Sequence, residues 1–158
     1  MFATCLWYSK NREEAEDIMQ EGFLKVFKYL HQYNASGSLE GWVKKIIIRT
    51  AIDKIKSSKQ LHAFVNITDA TEDIEDSYAA DEIVERIGAK KLIEITQSLP
   101  PMYRIVFNLY VFEGLKHKEI AALLNITEGT SKSNLFDARK ILQKKLNFSL
   151  SEEQKRTV

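Results

Sequence analysis

Residues 118–138 have the sequence KEIAALLNITEGTSKSNLFDA. The apolar residues at its start are spaced as on a short amphipathic helix over Lys118–Leu124, which ends at the turn Asn125–Thr127. Thr127 is a favourable helix N-cap, so a second and longer helix is expected from Glu128 to about Leu146. A short helix, a tight turn and a longer basic helix are typical of a helix-turn-helix, whose second helix enters the major groove of DNA.

The two sides of this second helix differ in chemistry. Its inward side carries small and apolar residues, namely Ser131, Leu135, Ala138 and Leu142. Its outward side carries Lys132, Ser133, Phe136, Asp137 and Lys140. Residues 132–145 hold five basic side chains and one acidic side chain, which favours a nucleic-acid surface over the outside of an ordinary helical bundle.

Further helices are expected on the N-terminal side of this motif. Leu92–Leu99 has the pattern of a short amphipathic helix and is stopped by Pro100 and Pro101. Pro101 suits the first turn of the next helix, which is expected from about Met102 to Phe112, before Glu113 and Gly114. Because the chain has only 6 glycines and 2 prolines in 158 residues, we predict an all-α protein.

Charge divides the chain into three blocks. Residues 1–60 carry a net charge of +3, residues 61–86 of −7 and residues 87–158 of +5, which the overall value of +1 conceals. Two basic blocks around an acidic middle indicate two modules that bind nucleic acid and are joined by a linker. Chance clustering of surface charge explains the same pattern equally well. Leu61–Glu85 has neither a lysine nor an arginine, and no sustained apolar stripe appears before Ile83, so we interpret it as a flexible acidic linker.

An amphipathic helix is predicted over Arg12–Leu30. Its apolar stripe consists of Ala15, Ile18, Met19, Phe23, Val26, Phe27 and Leu30, with Gly22 in step. Leu24 falls on the opposite, polar face, together with Asp17, Gln20, Glu21 and Lys28. A single exposed leucine is common, but a leucine surrounded by acids and a glutamine also suits the centre of a protein-docking face.

A second helix of this block is predicted over Leu39–Ser57, after a polar loop that starts at His31. Its apolar side consists of Val43, Ile47, Ile48, Ala51 and Ile55. The other side combines Trp42, Ile46 and Asp53 with Lys45, Arg49 and Lys56. Basic side chains beside an aromatic ring suit phosphate contacts and base stacking, while packing of Trp42 in the core is the alternative.

Enzymatic and metal-binding functions find no support in the residues. Cys5 is the single cysteine, and His31, His62 and His117 do not have the spacing of metal ligands. No glycine-rich phosphate loop or nucleophile motif is present, so we expect no catalytic residue, no metal and no cofactor. No apolar run approaches the roughly 20 residues that span a bilayer and no secretion leader is recognisable, so a cytoplasmic protein without membrane insertion is expected.

Four stretches of the chain resemble the extracytoplasmic-function (ECF) sigma factors, a minimal group within the sigma-70 family of bacterial transcription initiation factors. Arg12–Phe23 is similar to the polymerase-binding helix of region 2, and Trp42–Ile46 with Ala51–Asp53 is similar to its promoter-melting helix. Leu99–Arg104 resembles the start of region 4, and Lys118–Ala121 with Glu128–Ser133 resembles its helix-turn-helix.

The resemblance implies two small helical domains joined by the acidic linker. Residues 1–59 would form region 2, which binds the polymerase core and recognises and melts the −10 element. Residues 60–87 would be the linker, residues 88–148 the region 4 helix-turn-helix that recognises the −35 element, and residues 149–158 a tail. Family members usually carry a further helix before the point where this chain starts, so the first helix of region 2 is expected to be missing.

The resemblance also implies which residues bind each partner. The clamp coiled coil of the largest polymerase subunit would bind Asp17, Gln20, Glu21 and Leu24. Single-stranded −10 DNA would bind Asn34, Ser36, Trp42, Lys45, Arg49 and Lys56, with a flipped base received by the loop Tyr33–Ser38. Duplex −35 DNA would bind Glu128, Thr130, Lys132, Ser133, Asp137 and Lys140.

Core RNA polymerase and promoter DNA are thus the implied partners, with the flap of the second-largest subunit as a second polymerase contact and an anti-sigma factor as a further candidate. The implied function is to direct core polymerase to specific promoters and to help open the DNA. A stand-alone helix-turn-helix regulator is the alternative, because it would use the same motif without needing the first domain or the polymerase.

Overall fold

The computed structural model describes residues 1–57 and 89–156, and within them every regular element is a helix. The prediction of an all-α protein is therefore confirmed. The chain forms two compact units, Met1–Val65 and Asn66–Val158, which we describe separately. The acidic linker predicted over residues 60–87 lies outside the described residues.

The first unit contains helices α1 (Phe2–Tyr8), α2 (Arg12–Tyr29) and α3 (Leu39–Ser57), with a short 3-10 turn over Leu30–Gln32. The helix predicted over residues 39–57 is confirmed at both ends. Helix α2 starts where expected because Asn11 caps it, its Oδ1 accepting the Glu14 N–H at 2.9 Å. No helix was predicted within the first eleven residues. The structure has α1 there, and this helix packs on both α2 and α3.

The core of the first unit lies between these three helices. Cys5 and Ala15 are fully buried, and so is Ile47 of α3. Helices α2 and α3 approach so closely at Gly22 that a Cβ atom there would lie 2.4 Å from the Cδ1 of Ile47. A larger residue at position 22 therefore requires Ile47 to move its Cδ1 or to become smaller.

Two members of the apolar stripe predicted on α2 are not in the core. Phe27 is 72% exposed and Leu30 is 46% exposed, so the predicted apolar stripe is buried only in part. At 3.6 residues per turn, Phe27 points only about 20° away from exposed Gln20. Leu30 lies beyond the last α-helical residue, in the 3-10 turn, where the helical register of the stripe no longer holds.

The second unit contains α4 (Ala89–Gln97), α5 (Pro101–Val111), α6 (His117–Leu124) and α7 (Glu128–Arg156). Pro101 occupies the first turn of α5, as predicted. Helix α6 ends at Asn125, whose backbone is left-handed with φ 58°. The predicted N-cap of α7 is confirmed, because Thr127 Oγ1 accepts the Thr130 N–H at 3.0 Å.

The inward side predicted for α7 is also confirmed, since Ser131, Leu135, Ala138 and Leu142 are all buried. The helix is longer than expected, however, and continues past Leu146 into the segment predicted as a tail. Residues 147–156 contain neither glycine nor proline and include several strong helix formers, so no residue type there stops the helix.

Two classes of feature are absent from the described parts of the chain. No helix within residues 1–57 and 89–156 is long and apolar enough to cross a membrane. The same residues hold no group of three or more histidine, cysteine, aspartate or glutamate side chains that could bind a metal ion.

Candidate DNA interface and protein-docking face

Helix α7 carries all six residues that the sequence analysis assigned to −35 DNA. Glu128, Lys132 and Lys140 are exposed, whereas Thr130, Ser133 and Asp137 are half-buried. Thr130 is also part of the helix cap, since its hydroxyl lies 2.8 Å from that of Thr127. Lys132 and Lys140, the two cations among these six residues, are therefore accessible to a ligand, and Phe136, 42% exposed, lies between them in the sequence.

The start of α7 is held against α6 by a histidine that the sequence analysis did not assign. His117 Nδ1 lies 2.9 Å from the hydroxyl of Ser131, which is fully buried. The His117 ring stacks on Tyr110 with ring centroids 4.8 Å apart, and the Arg139 guanidinium lies 5.5 Å from the centroid of that tyrosine ring. These contacts connect α5, α6 and α7, so they fix the angle at which α7 presents its outward side.

A second contact joins α5 to the outward side of α7. The Tyr103 hydroxyl donates a hydrogen bond to the Asp137 carboxylate. Burial of the hydroxyl, followed by the charge and the hydrogen bond of Asp137, raises the pKa of Tyr103 above its ordinary value. The hydroxyl therefore remains protonated at neutral pH.

Helix α3 presents a separate basic surface on the first unit. Lys45 and Arg49 are exposed, and Lys56 is half-buried. Trp42 is also half-buried, with its ring centroid 5.6 Å from that of Tyr33. The tryptophan is thus neither a core residue nor fully exposed. Its position fits both base stacking and packing within the first unit.

The loop before α3 is shaped by its own hydrogen bonds. The Tyr33 hydroxyl donates to the Gly37 carbonyl, and Asn34 Oδ1 accepts the Ser36 N–H at 3.1 Å. Ala35 lies between them with φ 59°, in the left-handed region. Asn34 and Ser36 are exposed on this preformed turn, so their polar groups are presented in a defined geometry.

The face predicted to dock a protein lies on α2, and all four of its residues are exposed. Leu24 is 71% exposed, and Phe27, one turn further along, is 72% exposed. Asp17 is paired with another helix, because its Oδ2 lies 3.0 Å from Lys54 Nζ of α3. Glu21 pairs with Lys25 at 2.9 Å within α2. Phe27 is the residue that the sequence analysis missed, although its angular position beside Gln20 could have identified it.

Two family models match the chain: Sigma-70 region 2 over residues 1–60 and Sigma-70, region 4 over residues 89–142. The RNA polymerase sigma-H factor of Pseudomonas aeruginosa is 30% identical over 148 residues, which cover 89% of this chain and 77% of that protein. The ECF RNA polymerase sigma factor SigM of Bacillus subtilis is 28% identical over 146 residues, which cover 92% of this chain and 87% of that protein.

A solved structure has the same fold. The sigma factor RpoE, crystallised in complex with the anti-sigma factor NepR from Bartonella quintana, matches with a TM-score of 0.57 and 19% identity. The match covers 92% of this chain and 89% of that one. At this level of identity the likeness bears on the fold alone.

Proposed function

The chain belongs to the ECF sigma factors of the sigma-70 family, which are transcription initiation factors and not enzymes, and from this membership we propose how its surfaces divide the work of initiation. Residues 1–59 act as region 2, residues 60–87 link the domains, and residues 88–148 act as region 4. The partners are core RNA polymerase and promoter DNA, and the protein works in the cytoplasm, where both are found.

The α2 face binds the clamp coiled coil of the largest polymerase subunit through Asp17, Gln20, Glu21 and Leu24, with Phe27 as an additional contact. The observation that carries this proposal is the adjacent exposed pair Leu24 and Phe27, each more than two-thirds accessible. Two large apolar side chains surrounded by charged residues have the composition of the centre and rim of a protein interface. A regulator that acts without polymerase has no use for such a face.

The −10 element is bound as a single strand by α3 and the loop before it. Lys45, Arg49 and Lys56 hold the phosphates, while Trp42 offers a ring for stacking. The preformed turn at Asn34 and Ser36 presents polar groups to the edge of an extruded base. Extrusion costs a few kcal/mol, so a turn that is already shaped lowers the cost of binding that base.

The −35 element is bound as duplex DNA by α7, whose outward side enters the major groove. Lys132 and Ser133 contact base edges, with Glu128, Thr130, Asp137 and Lys140 around them. The second unit also contacts the flap of the second-largest polymerase subunit. An anti-sigma factor is a further candidate partner, because the matched Bartonella quintana sigma factor was crystallised with one.

Titration of purified core polymerase with the full chain tests this function, followed by run-off transcription on promoters from the source genome. We expect a stable complex with core polymerase and transcripts that require the chain. Sequence-specific binding of DNA by the chain alone, together with no binding to core polymerase, would instead identify a stand-alone helix-turn-helix regulator.

A further inference from the structure

Acidic side chains dominate the first half of α2, where the proposed docking face begins. Residues 12–21 hold five acids and one basic residue. Two of these acids, Asp17 and Glu21, are exposed on the docking face together with Leu24 and Phe27. Because the charges of two partners complement each other across an interface, the surface that binds this face carries basic side chains around an apolar centre.

Both acids of the docking face are already paired with lysines of the same chain. Lys54 Nζ of α3 lies 3.0 Å from Asp17 Oδ2, and Lys25 Nζ lies 2.9 Å from Glu21 Oε1. The side chain of Asp17 is nevertheless 58% exposed and that of Glu21 is 48% exposed. A basic side chain of a partner can therefore reach either carboxylate, but it meets a lysine that is already there.

Lys54 lies on a different side of α3 from the basic surface proposed for DNA. It follows Lys45 by nine positions, which at about 100° per residue places the two lysines on opposite sides of the helix. Its ammonium accordingly reaches Asp17 of α2, 37 positions away in the chain. A substitution at Lys54 therefore changes the charge of the docking face and leaves the proposed DNA surface intact.

We propose that Lys54 and Lys25 are internal competitors of core polymerase, each occupying an acidic side chain that a basic side chain of the polymerase takes over when the complex forms. This inference rests on the proposed function, since it assigns an autoinhibitory contact to the same docking face. The chain then binds polymerase more weakly than its acids alone would allow. Salt affects this binding little, because it weakens the internal and the intermolecular ion pairs together. The other explanation is that the lysines hold the acids in a productive position, and it predicts the opposite effect of removing them.

The experiment measures the affinity of the full-length chain for purified core polymerase at several salt concentrations. The variants are Lys54→Gln and Lys25→Gln, because glutamine removes the charge and keeps a polar side chain. Lys10→Gln is the matched control, since Lys10 is exposed in the same unit, two residues before α2, and its loss changes the net charge equally. Thermal unfolding of each variant shows whether it is folded.

We expect Lys54→Gln to tighten binding about twofold to fivefold at low salt and Lys25→Gln to tighten it about twofold, which are the effects that exposed ion pairs have. Both variants should also lose affinity more steeply as salt is added, because the freed acids then pair only with the polymerase. Lys10→Gln should leave the affinity and its salt dependence at the wild-type level. In an Asp17→Asn background, Lys54→Gln should have no effect, since the acid for which Lys54 competes is gone.

Unchanged or weaker binding of polymerase by the folded Lys54→Gln and Lys25→Gln variants would overturn the proposal, and so would an equal gain in Lys10→Gln. A gain from Lys54→Gln that persists in the Asp17→Asn background would overturn the competition for Asp17. If the wild-type chain did not bind core polymerase at all, the proposed function would fail and this inference with it, and that outcome is distinct from the others because it needs no variant.

Discussion

Two exposed lysines of α7, Lys132 and Lys144, are expected to serve different purposes. Both are exposed, but Lys132 lies in the second turn of α7 and Lys144 about three turns later. The early turns of a recognition helix reach base edges, and later residues meet the backbone. The first lysine is therefore expected to carry sequence information and the second to carry only charge.

Lys132→Ala should cost about 1–3 kcal/mol of binding on the preferred −35 sequence and less on a scrambled one. Lys144→Ala should weaken binding equally on both sequences and lower the slope of log K against log salt by about 0.9. The measurement is the affinity of holoenzyme for both duplexes at several salt concentrations. An equal loss on both duplexes for Lys132→Ala would make it a phosphate contact.

At the scale of single elements, α2 has one face that packs in the first unit and an opposite face that we propose docks on polymerase. Its inward face reaches α3 through Gly22, and its outward face exposes Leu24 and Phe27. Substitutions on the outward face should therefore leave the free energy of unfolding unchanged, and substitutions on the inward face should leave binding to core polymerase unchanged. This independence can be tested from both sides.

On the outward face, Leu24→Ser with Phe27→Ser should weaken binding to core polymerase at least tenfold, because large side chains near the centre of an interface contribute most of its energy. Leu39→Ser removes another exposed leucine, 48% accessible, from the start of α3 and is the matched control. Asp17 is left unchanged, since replacing it would also break its ion pair with Lys54. Wild-type affinity in a double variant of normal helicity would exclude this face.

On the inward face, the contact between Gly22 and Ile47 predicts a strong coupling. Ile47→Val alone should lower the free energy of unfolding by about 1 kcal/mol, because it leaves a small cavity. In a Gly22→Ala background the same substitution should raise stability, since the removed methyl group is the one that the new Cβ would meet at 2.4 Å. The double-mutant cycle is measured by urea denaturation of the wild type, the two single variants and the double variant. Additive changes in the free energy of unfolding would contradict the close contact between Gly22 and Ile47.

At the scale of the whole molecule, the surfaces that we propose for the −10 and −35 elements belong to two different compact units of the chain. Damage to one surface should therefore leave the other intact. This separation distinguishes loss of DNA opening from loss of DNA binding.

Arg49→Ala should reduce opening of the −10 region while −35 binding stays at the wild-type level, because Arg49 lies on α3 of the first unit. Permanganate footprinting of the −10 region, run beside a −35 affinity measurement, separates the two steps. Asn34→Ala and Ser36→Ala should change which −10 base is preferred. Normal opening by all three variants on every −10 sequence would show that this surface takes no part in opening the DNA.

Sequence patterns were sufficient where the signal was local. The end of α6 follows from Asn125 and the start of α7 from Thr127, each within a few residues of the boundary it sets. The start of α2 was predicted from its apolar stripe, and the structure adds the Asn11 cap. Helix α1 escaped prediction because it has seven residues, no side-chain cap and no charged residue in its first or last turn.

The contacts that shape the candidate sites could not be predicted from the sequence for a different reason. Lys54 meets Asp17 across 37 positions of the chain, and His117 meets Ser131 across 14. Helical periodicity states which way a side chain points but not which distant residue it will meet. The resemblance to sigma factors supplied roles for these surfaces, whereas the pairing of Tyr103 with Asp137 became visible only in the folded chain.

Because Cys5 is buried in the first unit, its reaction with a thiol reagent reports how often that unit opens. Cys5 is the single thiol of the chain, it is fully buried in the first unit, and burial raises its pKa above the ordinary value. A thiol reagent such as 5,5′-dithiobis(2-nitrobenzoic acid) can therefore modify the chain only when that unit opens, and the labelling rate reports the population of opened molecules. Because the folded state holds the thiol proton more tightly, the stabilisation from this group is present below the ordinary thiol pKa and is lost as pH rises through the raised value. We expect labelling to slow when core polymerase is added, and a rate equal to that of free cysteine would contradict the burial.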